Sequence, residues 1–416
     1  TGGDTVRLTG PWWSWDPLGG PVATDNGDGT YAITGQKIYI SWGDNDFSEN
    51  VCHLVLARLP GGLQGTKGIS LFLVPKKLPD ENGSVGVANS LKVVSLEHKM
   101  GLHGSPTAVM QYDRATGWLV GEPHDGMRAM FTMMNNARLG VGGQGIGVAE
   151  GAFQHAMAYA MGRAQGNSPI ENGAGTIVDH ADVRRMLTTM KADIYAARAL
   201  ALENAVAIDM ANATGNNDWE ARAALLTPIT KVFGTEVGID VSNLGLQIHG
   251  GMGYIEETGA AQYSRDVRVT AIYEGTNGIQ SMDLVGRKFM DGGKAAKSLL
   301  EETLSTTKSY AKVEPELTNL LSNAIQSLRE TTDWMLLQTD LNQRFAGAVP
   351  YLRAFARVMG GFYHLSSAVN ECRNGPRTKI AKFYIKNLLP EHIGLLAQAT
   401  QGADDIYALD VEDLVA

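Results

Sequence analysis

Cysteine is almost missing from this chain. Cys52 and Cys372 are the only two among 416 residues, too few for a disulfide framework and without the clustered Cys/His spacing of a structural metal site. No metal is expected, and the compartment is expected to be reducing and cytoplasmic. Cys52 lies in the apolar run VCHLVLA, where a packed strand thiol is expected rather than a reactive one. Positive charge is also in short supply: 35 Lys and Arg against 44 Asp and Glu leave a formal net charge of −9. That excess argues against a general nucleic-acid binder, whose affinity rests on basic contacts to phosphate. No uninterrupted apolar run is long enough to span a bilayer, no signal peptide is apparent, and no tandem repeat is evident.

What is present is an ordinary globular composition, 44% hydrophobic and 19% charged, enough on length alone for two or three domains. From Tyr31 to about Trp118, short β-branched and aromatic runs alternate with the turn clusters DNGDG, PGG and PDENG, which predicts a β domain. GEPHDGM (residues 121–127) marks a hinge, because the apolar period then changes from two towards three and four. Val183, Leu187, Met190, Ile194 and Ala197 form one helical stripe. A second helix is predicted to start at Thr227 and Pro228, an N-cap followed by proline, and to carry Ile229, Val232, Phe233 and Val237 inward. GNSPIENGAG (residues 166–175) is a loop by its content. In the tail, Leu317, Leu320, Leu321, Ile325 and Leu328 repeat the stripe, as does the stretch from Tyr351 to Val369, so the tail is a further helical region.

The most informative segments are QIHGGMGY (residues 247–254) and RDVRVTAIYEGTNGIQ (residues 265–280). They set one carboxylate, Glu274, among small, apolar and amide residues. Gly275 and Gly278 let backbone approach a ligand closely, while Thr276, Asn277 and Gln280 offer neutral hydrogen-bonding groups and no cation. Desolvation in such a setting is expected to push the Glu274 pKa up, towards what proton abstraction near neutrality requires. The plainer alternative is a surface glutamate at a helix start.

These two segments, together with ITGQKIYISWG (residues 33–43) and GMRAMFTMMNNARLGVGGQGIG (residues 126–147), resemble the acyl-CoA dehydrogenase family over roughly residues 25 to 290. Within the family, SWGDND, ENVCHLVLARLP, GTKGISLFLVP, EHKMGLHGSPT and the long helical tail most resemble the 3-methylmercaptopropionyl-CoA dehydrogenases. The resemblance implies an α+β fold: an atypical segment over residues 1–24, a β-barrel domain over 25–120, an antiparallel flavin- and acyl-CoA-binding helical bundle over 121–292, and an additional helical domain over 293–416. Thr1 to Thr24 do not resemble the family's N-terminal helical domain or its acidic flavin loop, and a truncated or frame-shifted start is expected.

The implied reaction removes a proton from the α carbon of an acyl-CoA thioester and a hydride from the β carbon, with FAD as the cofactor. Glu274 matches the family's catalytic glutamate, with its own backbone N–H at the thioester oxygen. The position used for the base in some relatives corresponds to Ala137, which cannot serve. The cofactor contacts implied are Tyr39 and Ser41 beside the flavin ring, Arg163 and Gln165 reaching a neighbouring subunit's flavin, Gln247, Gly250 and Gly251 at the diphosphate and adenosine portion, and Thr276 and Gly278. Tyr39 stands where tryptophan is usual, and Gly166 follows Gln165 where phenylalanine is usual. A half-buried strand pairing for Tyr39 and Ser41, and an exposed helix-end arginine for Arg163, are the alternatives. Arg138, Asn135 and Gly275 are implied on the substrate side. Arg265 and Asp266 are expected as an ion pair or helix-end feature, His103 as a lining residue, and His249 as packed without a catalytic role. The partners implied are acyl-CoA, an electron-transfer flavoprotein and further copies of the chain in a homodimer or homotetramer. An acyl-CoA oxidase and a catalytically inactive oligomerisation or binding protein are the competing functions.

Overall fold

In the computed structural model of the chain, residues 4–5, 20–371 and 374–415 are described. The expectations for residues 1–3 and 6–19, and for Cys372, lie outside the described residues. The chain divides into two compact units, Thr1–Asn136 and Ala137–Ala416.

The first unit holds β1 (Asp4–Thr5), β2 (Val22–Asp25), β3 (Tyr31–Ser41), β4 (Cys52–Arg58), β5 (Ile69–Pro75), β6 (Lys77–Pro79), β7 (Val85–Ala88), β8 (Leu91–Leu96) and β9 (Thr107–Val120). The DNGDG turn joins β2 to β3 antiparallel, with Gly27 and Gly29 at φ of 80° and 87°, values glycine adopts without strain. β3 then pairs with β9, β9 with β5 and β5 with β4, all antiparallel, and β4 meets β2 again at Arg58 and Val22. This closes a barrel. β8 adds to β9, and β6 and β7 form a separate two-stranded ribbon.

Side-chain alternation sorts the barrel walls. Ile33, Val55, Ala57, Phe72, Val74, Met110 and Ala115 share one buried cluster. On the intervening positions, Leu56, Ile69 and Leu71 pack with Met130 and Met134, which belong to the first turns of helix α1 (Gly126–Gly162). Helix α1 starts hard against β5: a Cβ on Gly126 would lie 2.4 Å from the Ser70 carbonyl carbon. The interior is not wholly apolar. His53 is buried, with Nδ1 2.8 Å from the Tyr112 hydroxyl and Nε2 2.7 Å from the Gly43 carbonyl oxygen. The strand that buries His53 turns its neighbour Cys52 outward, so the expected packed thiol is in fact exposed.

The second unit contains the rest of α1 with α2 (Ala181–Thr214), α3 (Asn217–His249), α4 (Ala260–Val267), α5 (Asn277–Val285), α6 (Lys294–Ser309), α7 (Pro315–Leu337), α8 (Leu341–Ala346), α9 (Ala348–Val369), α10 (Pro376–Phe383), α11 (Glu391–Ala399), α12 (Asp404–Tyr407) and α13 (Val411–Val415). One buried apolar cluster contains residues from Ile146 to Ala399. The tail helices therefore share a core with the bundle, although residues 121–292 and 293–416 read as two domains in sequence. The expected helix start at Thr227–Pro228 is corrected: α3 begins at Asn217, where the Asn216 side chain accepts from the Asp218 N–H at 2.7 Å, and Pro228 lies inside it. Every residue from Leu225 to Thr235 is buried, so tertiary packing on all sides outweighs the break that proline introduces. Leu320, expected inward, is 42% exposed. Among the described residues no helix is long and apolar enough to cross a membrane.

Candidate active site

The loop carrying Glu274 runs from α4 to α5. After α4 the chain tightens into a 3-10 turn at Arg268–Ala271, and the N–H groups of Ile272 and Tyr273 both close on the Val269 carbonyl, at 2.8 and 3.1 Å. Two left-handed residues follow, Glu274 at φ 55° and Gly275 at φ 86°. Glycine accepts that conformation freely, whereas a residue with a Cβ gives up roughly 1–2 kcal/mol there. Thr276 then caps α5, its Oγ1 accepting from the Ile279 N–H at 3.3 Å. Glu274 itself is half-buried.

Buried side chains from three helices hold this loop. Gln280 of α5 donates through Nε2 to the Glu274 carbonyl at 3.0 Å, and Arg138 of α1 donates through Nε to the same oxygen at 3.4 Å. Lys231 of α3 donates to the Gly275 carbonyl and to Asn277 Oδ1, both at 2.9 Å. The Asn277 amide also donates to Thr235 Oγ1 at 3.2 Å. Arg138 is balanced by Asp283, 3.7 Å away and equally buried. The absence of a cation beside Glu274, expected from the run of residues around it, is thereby overturned: two approach it from other helices.

Glycines explain how those cations arrive together. A Cβ on Gly145 would lie 2.3 Å from the Gly234 carbonyl oxygen, and one on Gly234 would lie 2.6 Å from that of Gly142. Helices α1 and α3 thus touch backbone to backbone, which only glycine permits, and this sets Arg138 and Lys231 side by side. Burial pulls the Lys231 pKa down to about 7; Arg138 acts in the same direction, while Glu274 and Glu236 oppose it. Burial likewise lowers the Arg138 pKa, against the attraction of Asp283 and Glu274.

The other expected residues fall into separate groups. Gln247, Gly250 and Gly251 are exposed at the end of α3. Gly250 has φ 59°, and neither glycine has an atom within 4 Å of where a Cβ would project. Gly278, in the first turn of α5, is equally open apart from Thr276 Oγ1 at 4.0 Å. His249 is buried, its Nδ1 2.7 Å from the Gly245 carbonyl oxygen and its ring 4.4 Å from that of Tyr159. That stacking brings the end of α1 alongside the glycine turn, and Arg163 and Gln165 follow α1 as exposed residues. In the first unit, Tyr39 and Ser41 are both exposed with Ile40 buried between them, at a bulge in the β3–β9 pairing where Tyr39 takes φ 63°. Asn135 is exposed on α1, and His103 is exposed with Nε2 2.9 Å from the Lys99 carbonyl oxygen. Arg265 pairs with Glu256 at 2.7 Å rather than with Asp266, whose carboxylate accepts from Gln262 at 3.2 Å. Among the described residues no group of three or more His, Cys, Asp and Glu side chains is arranged to hold a metal ion.

Sequence reasoning missed Lys231 and Asp283. The available signal was a lone lysine inside the apolar run LLTPITKVFG, where a cation needs a partner.

The family model described as acyl-CoA dehydrogenase, C-terminal domain, matches residues 124–289, and that described as acetyl-CoA dehydrogenase C-terminal like matches residues 299–410. A 3-methylmercaptopropionyl-CoA dehydrogenase from Ruegeria pomeroyi is 44% identical over 82% of this chain and 60% of its own length. A butyryl-CoA dehydrogenase from Syntrophomonas wolfei is 32% identical over 92% of this chain and 68% of its own. The structure of an acyl-CoA dehydrogenase complexed with FAD from Bacillus anthracis matches with a TM-score of 0.73 at 20% identity, over 95% of this chain and 67% of that one. The chain thus spans 60% of the length of the Ruegeria relative, and the match to the Syntrophomonas enzyme extends through both the barrel and the helical unit. On that evidence the chain belongs to the acyl-CoA dehydrogenase family.

Proposed function

We propose that this protein dehydrogenates an acyl-CoA thioester between its α and β carbons, with Glu274 as the base. The observation that carries this is the Glu274–Gly275 pair, a half-buried carboxylate on a left-handed turn whose carbonyls are held by Arg138, Gln280 and Lys231. Such a loop fixes a carboxylate in one orientation, as proton abstraction from carbon requires. Glu274 takes the α proton on a carboxylate oxygen. Gly275 leaves the turn free of a side chain, and the family places the thioester oxygen on the Glu274 N–H, which would polarise the carbonyl as charge develops.

The residues present fit FAD. Open backbone at Gly250, Gly251 and Gly278 gives a diphosphate or ring an unobstructed approach, and Tyr39 and Ser41 present an exposed aromatic face and a hydroxyl. Tyr39, Ser41, Gln247, Gly250, Gly251, Thr276 and Gly278 would hold the cofactor, with Arg163 and Gln165 reaching one held by another copy of the chain in a homodimer or homotetramer. When bound, FAD supplies the acceptor for the hydride leaving the β carbon. Arg138, assigned to the substrate side with Asn135, faces the loop and Asp283 with little exposure, and its proposed role is support of Glu274.

The substrate placed first is 3-methylmercaptopropionyl-CoA, then other short or medium acyl-CoAs, with an electron-transfer flavoprotein receiving the electrons in the cytoplasm. The test is anaerobic addition of 3-methylmercaptopropionyl-CoA and of butyryl-CoA to the flavin-loaded protein. Bleaching of flavin absorbance, faster with the first, is expected. Flavin binding without bleaching by either thioester would sink the assignment, and rapid peroxide formation in air would make the protein an oxidase.

A further inference from the structure

Lys231 has no exposed surface and sits midway along α3, in the stretch Leu225–Thr235 where every residue is buried. Methionine or leucine would fill that space without desolvating an amine. Its two partners are neutral acceptors, the Gly275 carbonyl and Asn277 Oδ1, which lie on either side of Thr276. A left-handed residue with a side chain persists only where the surroundings over-determine it, and here the strained residue is Glu274. Arg138 and Gln280 act on the Glu274 carbonyl, whereas Lys231 bridges the two residues that follow Glu274 and Thr276.

We propose that Lys231 is a positioning residue for the Glu274 loop, its amine pinning the Gly275 carbonyl to the Asn277 side chain so that the Glu274 carboxylate is presented in one orientation. The role depends on Glu274 being the base as proposed above. A neutral amine keeps two N–H groups and an ammonium has three, so two acceptors remain satisfied in either state. A lysine titrating at about 7 can therefore change the charge beside Glu274 without releasing the loop. The charged groups facing it are Arg138 from α1, Glu274 from the loop and Glu236 from α3 itself.

The experiment compares the full flavin-loaded chain with Lys231→Met and Lys231→Gln. It measures kcat and KM with a dye acceptor, the pH profile of kcat, and amide exchange by mass spectrometry across residues 270–280. For Lys231→Met, kcat is expected to fall by about 100-fold, the cost of a small misplacement of a reacting group, with KM little changed and exchange rising in that segment. The acidic limb of kcat is expected to move to higher pH, since a cation near Glu274 has gone. Lys231→Gln, which keeps an N–H donor, is expected to recover part of the loss. A folded Lys231→Met with unchanged kcat, pH profile and exchange, differing only in melting temperature, would overturn the role. If Lys231→Met does not fold, Asn277→Ala removes one acceptor instead, and undisturbed exchange over residues 270–280 in that variant would equally overturn it. Glu274→Gln is run in parallel. Turnover surviving in that variant refutes the base and leaves the exchange result to judge Lys231 separately.

Discussion

In the barrel, Tyr39 and Ser41 stand on the exposed side of a bulged strand, with buried Ile40 between them. In the helical unit, Glu274 rides on a loop whose successive carbonyls are held by Gln280, Arg138 and Lys231, all nearly or wholly buried. The barrel offers side chains that its own core does not use. In the helical unit buried charge holds the backbone of the Glu274 loop, and buried charge is destabilising unless its partners are in place. Substitutions beneath the Glu274 loop should therefore disturb fold and chemistry together, while those at the bulge should separate them.

The largest effect is expected at Glu274 itself. Glu274→Gln conserves shape and removes the proposed base, so acyl-CoA-dependent dye reduction should fall by roughly 100- to 10,000-fold, the range for loss of a general base. Flavin content and the melting curve should stay near wild type. A variant that loses flavin as well would show that Glu274 supports the site in addition to reacting in it.

Next comes the helix crossing that brings Arg138 and Lys231 together. Gly145 meets the Gly234 carbonyl where a Cβ would lie at 2.3 Å, while Gly147, one turn face away, is exposed with nothing within 4 Å. Gly145→Ala should lower the free energy of unfolding in urea by about 1–3 kcal/mol through overpacking. Gly147→Ala should raise it by up to about 1 kcal/mol, because alanine favours an open helical position. Equal effects at the two sites would mean that α1 and α3 do not rely on the glycine contact.

Much of this was legible in the sequence, and what escaped shares one cause. The β strands of the first unit, the change to helix at α1 and the inward stripe Ile229, Val232, Phe233 and Val237 follow from local pattern, whereas the closing of those strands into a barrel was implied only by the family resemblance. Glu274 and its glycine lie in one short motif. Lys231 and Arg138, by contrast, are 43 and 136 residues from Glu274 in sequence and meet its loop only because two helices touch through glycine. Periodicity reports which face is buried and says nothing of which residue lies opposite. Cys52 was misplaced because a strand with both faces packed over most of its length still turns its first residue outward. The start at Pro228 was misplaced because packing around α3 outweighs a proline that local rules treat as a beginning.

A smaller effect is an acid sensitivity with sources in both units. His364 of α9 is buried between the rings of Tyr195 and Tyr384, with Nε2 3.0 Å from the Ala192 carbonyl oxygen. Burial pulls its pKa down to about 4 from an ordinary 6.5. Between those values the unfolded chain binds a proton that the folded chain refuses, so stability falls as pH drops from about 6.5 to about 4. His53 in the barrel is shifted in the same direction, again chiefly by burial. His364→Phe should flatten the decline of melting temperature across that window without abolishing it. An unchanged slope would remove His364 as a source of acid sensitivity.

The smallest expected change in stability is at Tyr39, and it sharpens the comparison most. Tyr39 is 59% exposed and takes φ 63°, so Tyr39→Gly relieves a strained backbone while burying little less surface. Glycine also gains freedom in the unfolded chain, and the two effects oppose each other. The melting temperature should therefore move by no more than about what 1 kcal/mol produces, while FAD retained after gel filtration should fall clearly. Neighbouring Ile40, with no exposed surface, gives the contrast: Ile40→Ala should cost about 2–5 kcal/mol by leaving a cavity in the barrel. If Tyr39→Gly unfolds the barrel as readily as Ile40→Ala, the bulge is a structural element. If it keeps both stability and full flavin content, Tyr39 does not contact the cofactor, and the barrel's exposed tyrosine has no part in the site.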